Sequence, residues 1–119
     1  MNLSLIFLAH WMGDFLFQTT KMATSKAHSL KWLSLHALVY GSIMTVFATV
    51  IIDIEKGLIF GLVNMLLHFI TDFFTSKVMV KYLKRPRIFF PLLGIDQMIH
   101  MITLHLTLEN ISKIQDLIV

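Results

Sequence analysis

Three pairs of ionisable residues interrupt apolar stretches of this chain. His10 and Asp14 lie in Ala9-His10-Trp11-Met12-Gly13-Asp14-Phe15, and the phrase recurs in Leu67-His68-Phe69-Ile70-Thr71-Asp72-Phe73. A reversed version occurs in Asp96-Gln97-Met98-Ile99-His100. A spacing of four puts both members of a pair on one face of a helix. Imidazole with carboxylate suits divalent transition ions such as Zn, Mn, Fe or Ni, whereas Ca and Mg prefer more oxygen. Such an ion lowers the pKa of a bound water, and a site of this kind can be hydrolytic. Two other uses of the same residue types are a proton or metal-ion pathway and a hydrogen-bonded polar core that holds helices together.

The pairs extend into stripes. The first is His10, Asp14, Gln18; the second is His36, Tyr40; the third is Asn64, His68, Asp72, Ser76; the fourth is Asp96, His100, Thr103, Thr107. A single Asp at the centre of a bilayer costs ~2.5–3.5 kcal/mol on insertion scales. Three of them are tolerable only if they face one another and are neutralised by protons, histidines or metal. The expected metal ligands are His10, Asp14, His68, Asp72, Asp96 and His100, around one or two divalent ions with zinc as first choice. His36, Gln18 and Tyr40 are expected beside them, as general base or supporting groups. His28 reads as a solvated loop residue, His105 as interfacial, and Trp11 and Trp32 as packing or belt residues. The chain has no cysteine, which excludes a disulfide framework and a thiolate metal site.

The elements that carry these stripes read as membrane helices. Of 119 residues, 56% are hydrophobic and only 14% charged, against about 25% charged in soluble domains. Four apolar segments, at about 3–19, 31–52, 57–76 and 88–108, have the length of a membrane crossing, the first barely. The reading is an all-α polytopic four-helix bundle in one transmembrane domain, 1–119, made of two similar helical hairpins. The N-terminal segment reads as a retained helix, because no Lys or Arg precedes it and His10 and Asp14 interrupt it. All Lys and Arg except Lys56 and Lys113 flank the first and third connections. The positive-inside rule places those connections in the cytoplasm and both termini outside. The net charge of +3 therefore points to a membrane surface, with Lys77, Lys81, Lys84, Arg85 and Arg87 facing anionic lipid headgroups. No nucleic-acid motif is present. A homo-oligomer is compatible with so small a bundle.

These residues resemble the DUF3307 family of small bacterial and phage membrane proteins. The matching features are Leu8-Ala9-His10 with Gly13-Asp14-Phe15 and Gln18, then Lys31-Trp32 with Leu35-His36-Ala37. Leu67-His68-Phe69 with Asp72 and Lys77 comes next, and then Asp96-Gln97 with His100. The resemblance implies a multi-pass protein of the bacterial inner membrane and carries no established activity. The functional reading is an intramembrane His/Asp metal site, hydrolytic toward a lipid or membrane-proximal substrate. The alternatives are an ion-conducting element and a structural or regulatory membrane protein.

Overall fold

The computed structural model describes residues 3–119, and these are helical with no strand among them. α1 (Leu3–Trp11) continues into a π-helical turn, Met12–Leu16, closed by Phe17 N donating to Met12 O at 2.7 Å. A short helix α2 (Thr20–Ser25) comes next, capped by Thr19, whose hydroxyl accepts from Met22 N. Ser29 caps α3 (Leu30–Ile51) by accepting from Trp32 N. Asp53 caps α4 (Ile54–Val80), its carboxylate accepting from Lys56 N at 2.8 Å. α5 (Pro86–Glu109) begins on Pro86, where the missing N–H has no helical partner to lose, and Asn110 separates it from α6 (Ile111–Ile118).

Three helices, α3, α4 and α5, are long and apolar enough to cross a membrane. The first apolar helix runs only Leu3–Leu16. At 1.5 Å per residue it covers about 21 Å of a hydrocarbon core of about 30 Å. The expectation of a first segment reaching residue 19 is thus cut short, because the π turn ends the helix at Leu16. The hairpins are unequal in consequence: their leading helices end at Leu16 and Val80. α4 starts three residues earlier than its apolar run, since Asp53 supplies the cap. α2 and α6 lie outside the expected segments.

The helices stack in layers. At the end that carries the α3–α4 turn, Ile6, Met44, Ala48, Phe60 and Leu104 are fully buried against one another, with Ile111 closing the layer from α6. α3 and α4 approach closely at Gly41 and Gly61, where a Cβ on Gly61 would run into the Thr45 side chain and come within 2.9 Å of Gly41 O, and again at Gly57, where a Cβ would stand 2.6 Å from Thr49 N. In lipid no hydrophobic drive joins two helices, so this backbone approach and its packing supply the association. The outward faces are mostly apolar, as in the exposed α4 ridge Leu58, Leu62, Leu66, Ile70 and Phe74. At the other end of the bundle the core turns polar.

Candidate metal centre

His10, Asp14, His36, Tyr40, His68, Asp72, Asp96 and His100 are all buried and lie in one cluster. α3 brings in His36 and Tyr40, α4 His68 and Asp72, and α5 Asp96 and His100. Asp14 comes from the π turn. The extra residue of a π turn rotates the later residues around the helix axis, and such turns recur at functional sites. Here it lets Asp14 reach His36 on α3, 3.1 Å away, while its approach to His10 on its own helix is the longer 3.9 Å. The turn fits against α3 because residue 13 is glycine. A Cβ there would stand 2.9 Å from Tyr40 Cδ2.

Four atoms converge at the centre. His36 Nε2 and His68 Nε2 face each other at 2.9 Å. Asp14 Oδ1 lies 3.1 Å from the first and 3.6 Å from the second. Asp72 Oδ2 lies 3.3 Å from each. Four ligands of a tetrahedral zinc-like ion are about 3.3 Å apart when metal–ligand bonds are about 2.0–2.1 Å. The donor set and spacing therefore fit a single divalent ion. Two imidazolium N–H groups cannot point at one another at 2.9 Å, so the pair shares either one proton or one cation.

A second group adjoins the first through Asp72. Its other oxygen, Oδ1, is 3.0 Å from His100 Nε2, which is 3.3 Å from Asp96 Oδ1. Asp14, Asp96 and His100 also bring ligand atoms within 4.8 Å of one another. Asp72 thus presents one carboxylate oxygen to each group. The rings are held by stacking: Tyr40 lies over His68 at 3.8 Å between centroids, and His68 over His100 at 4.2 Å.

Two expected positions are exchanged. His36, expected beside the ligands, stands among the four convergent atoms. His10, expected as a ligand, has both ring nitrogens engaged elsewhere. Gln97 Nε2 donates to Asp14 Oδ2 at 2.8 Å and to Asp96 Oδ2 at 3.1 Å. Its Oε1 therefore faces His10 Nε2, at 2.6 Å, and takes that proton. His10 Nδ1 is then the acceptor for the Tyr40 hydroxyl, 2.8 Å away. Gln18 turns its amide to donate to Asp14 O. Thr103 and Thr107 donate to carbonyls of their own helix and stay outside the cluster.

Gln97 and Lys26 are the residues that helical spacing passed over. Gln97 is the neighbour of Asp96 and lies off the stripe, and apart from the family resemblance its cost as an amide in an apolar helix is what marks it. Lys26 reads from sequence as one more basic loop residue. In the structure its Nζ donates to Asp72 Oδ2 at 3.0 Å, with little of the side chain exposed. Burial alone would lower the lysine pKa, but Asp72 and Asp14 outweigh it and hold the ammonium above its ordinary value. Lys26 is one fixed cation against three carboxylates, and protonated histidines or a metal ion supply the remaining positive charge. His36 Nδ1 and His68 Nδ1 are buried with no partner. Ligating imidazoles normally donate through that nitrogen, so these two rings are oriented by packing and stacking.

Beside the cluster lies a cavity of about 300 Å³, with Asp14, Lys26, Asp96 and Gln97 in its lining. No curated protein and no solved structure matches the chain. The family model described as "Protein of unknown function (DUF3307)" matches residues 3–118, nearly the whole chain, and the protein belongs to that family.

Proposed function

We propose that the protein is a multi-pass membrane metalloprotein in which His36, His68, Asp14 and Asp72 hold one divalent transition ion. The observation that carries this reading is the four-atom set, in which each histidine nitrogen lies 2.9–3.6 Å from the other and from both carboxylate oxygens. Asp72 Oδ1, His100 and Asp96 offer a second position, so that the site takes one or two ions. Zinc fits the donor set best. Bound there, the ion supplies Lewis acidity suited to hydrolysis of an ester or anhydride in the adjoining cavity. The chain's own groups orient the rings through Tyr40, fix Asp14 and Asp96 through Gln97, and set a cation, Lys26, at the edge. The fully buried apolar layer of Met44, Phe60 and Leu104 lies between the cluster and the α3–α4 turn, which favours a one-sided site over a conducting path.

The basic residues Lys77, Lys81, Lys84, Arg85 and Arg87 fit the phosphate layer of a bacterial inner membrane, with this end in the cytoplasm. The test is elemental analysis of protein purified at neutral pH without added metal, repeated after zinc addition and desalting. One or two equivalents are expected in the wild type, removable by a chelator because the Nδ1 atoms lack outer partners. Asp72→Asn should bind none. Wild-type protein without stoichiometric transition metal after zinc addition would sink the reading.

A further inference from the structure

We infer that the cavity beside the cluster binds a phosphorylated amphiphile, head toward Asp96 and Lys26 and chain toward α4 and α5. This rests on the metal reading for the neutralisation of Asp14 and Asp96, which otherwise would repel an anion. The cavity is two-faced. Its inner lining is Asp14, Gln18, Lys26, Ser76, Asp96 and Gln97. Its outer lining is mostly apolar, with Met79 and Val80 from the end of α4, Leu83 from the connection after it, and Phe89 and Leu93 from the start of α5. At about 300 Å³ it reaches the lower end of the usual range of small-molecule sites, about 300–1,000 Å³.

Two buried polar atoms in this lining have no partner, Ser76 Oγ and Gln18 Oε1. A buried polar atom without a partner is costly, and both atoms gain a partner if a hydrogen-bonding head occupies the cavity. Ser76 can donate to a phosphate oxygen, and Gln18 Oε1 can accept from a protonated or hydroxylated head. The sign of the head is set by charge. Lys26 is a half-buried cation in the lining, and Lys81, Lys84 and Arg85 on the α4–α5 connection, with Arg87 in the first turn of α5, sit next to Leu83 and Phe89. The apolar outer wall is then the path of a single chain that stays in contact with the bilayer.

The experiment uses full-length protein in detergent micelles, loaded with zinc, and three probes: dodecyl phosphate, dodecyltrimethylammonium and inorganic phosphate. Binding is read by calorimetry and metal content is measured on the same samples. Saturable one-to-one binding of dodecyl phosphate is expected, with each other probe at least tenfold weaker. Leu93→Trp, which fills the apolar wall away from the ligand atoms, should lose dodecyl phosphate at least tenfold and keep its zinc. Lys26→Gln should weaken dodecyl phosphate and leave the weak binding of the cationic probe unchanged or improved. Equal binding of the cationic probe would overturn the inference, as would equal binding of inorganic phosphate or an unaffected Leu93→Trp. Zinc retained without saturable dodecyl phosphate binding overturns this inference alone. Dodecyl phosphate bound equally tightly by protein that holds no zinc overturns both the metal reading and the neutralisation argued from it here.

Discussion

Asp72 meets four partners with two oxygens. Lys26, His36 and His68 share Oδ2, and His100 takes Oδ1. An ammonium and a divalent cation at Oδ2 compete for the same charge, which gives Lys26 a measurable signature. Without metal, Lys26→Gln removes a charge-assisted hydrogen bond of about 1.5–3 kcal/mol and should lower thermal stability. With metal the ion replaces it, so the stability loss should shrink toward zero. Zinc affinity should rise about tenfold, the scale of one screened unit charge a few Å away. Parallel melting curves and zinc titrations check both; a stability loss that is the same with and without zinc would mean that Lys26 and the ion do not share Asp72. The histidine–aspartate members of this cluster are legible from spacing alone, since a period of four in an apolar run has few other meanings. Lys26 is not, because a loop lysine next to a membrane helix has the same sequence signature whether it faces headgroups or reaches inward. Gln97 stands beside Asp96 in the sequence with no evident role, and acquires one only because its long side chain folds back across Asp14, Asp96 and His10.

At the scale of elements, the helices are readable where hydropathy and caps agree and unreadable where the backbone departs from the α period. Nothing in Met12-Gly13-Asp14-Phe15-Leu16 announces a π turn, yet that turn aims Asp14 at α3 and ends the first helix early. The small-residue spacing Gly57-x-x-x-Gly61 is visible in the sequence, and the structure gives it a partner in Gly41, Thr45 and Thr49 on α3. The two glycines that look alike in sequence, Gly61 and Gly94, differ in what surrounds them. A Cβ on Gly61 meets Thr45 and the Gly41 carbonyl, whereas a Cβ on Gly94 meets nothing within 4 Å. Gly61→Ala should therefore force α3 and α4 apart and cost about 1–3 kcal/mol, the usual penalty of overpacking. Gly94→Ala should be neutral or stabilise by up to about 1 kcal/mol through helix propensity. Unfolding titrations in mixed micelles would compare them; similar losses for both would mean that the α3–α4 contact does not depend on the bare backbone at Gly61.

The whole molecule has two unlike ends. One carries the exposed turn at 53–55, the apolar layers and the amphipathic α6, whose Leu117 and Ile118 are exposed. The other carries the basic connections, the polar cluster and the cavity. The first apolar helix ends at Leu16, just past Asp14, so the cluster lies close to the end at which that helix stops. That asymmetry makes orientation the property on which the proposed ligand's access depends: on that proposal the cavity takes its ligand from the leaflet that the basic end faces. The chain has no cysteine, so single cysteines report orientation without background. Glu55→Cys marks the α3–α4 turn and Lys84→Cys the α4–α5 connection, both at exposed positions. With a membrane-impermeant thiol reagent on intact inner-membrane spheroplasts, Glu55→Cys should label at once and Lys84→Cys only after lysis, because Lys and Arg stay on the cytoplasmic side. The opposite pattern would turn the cavity to the outer leaflet and with it the source of any lipid it binds. Labelling of both before lysis would mean that α4 does not cross the membrane, which would leave Asp72 and His68 without the apolar surroundings that the folded cluster requires.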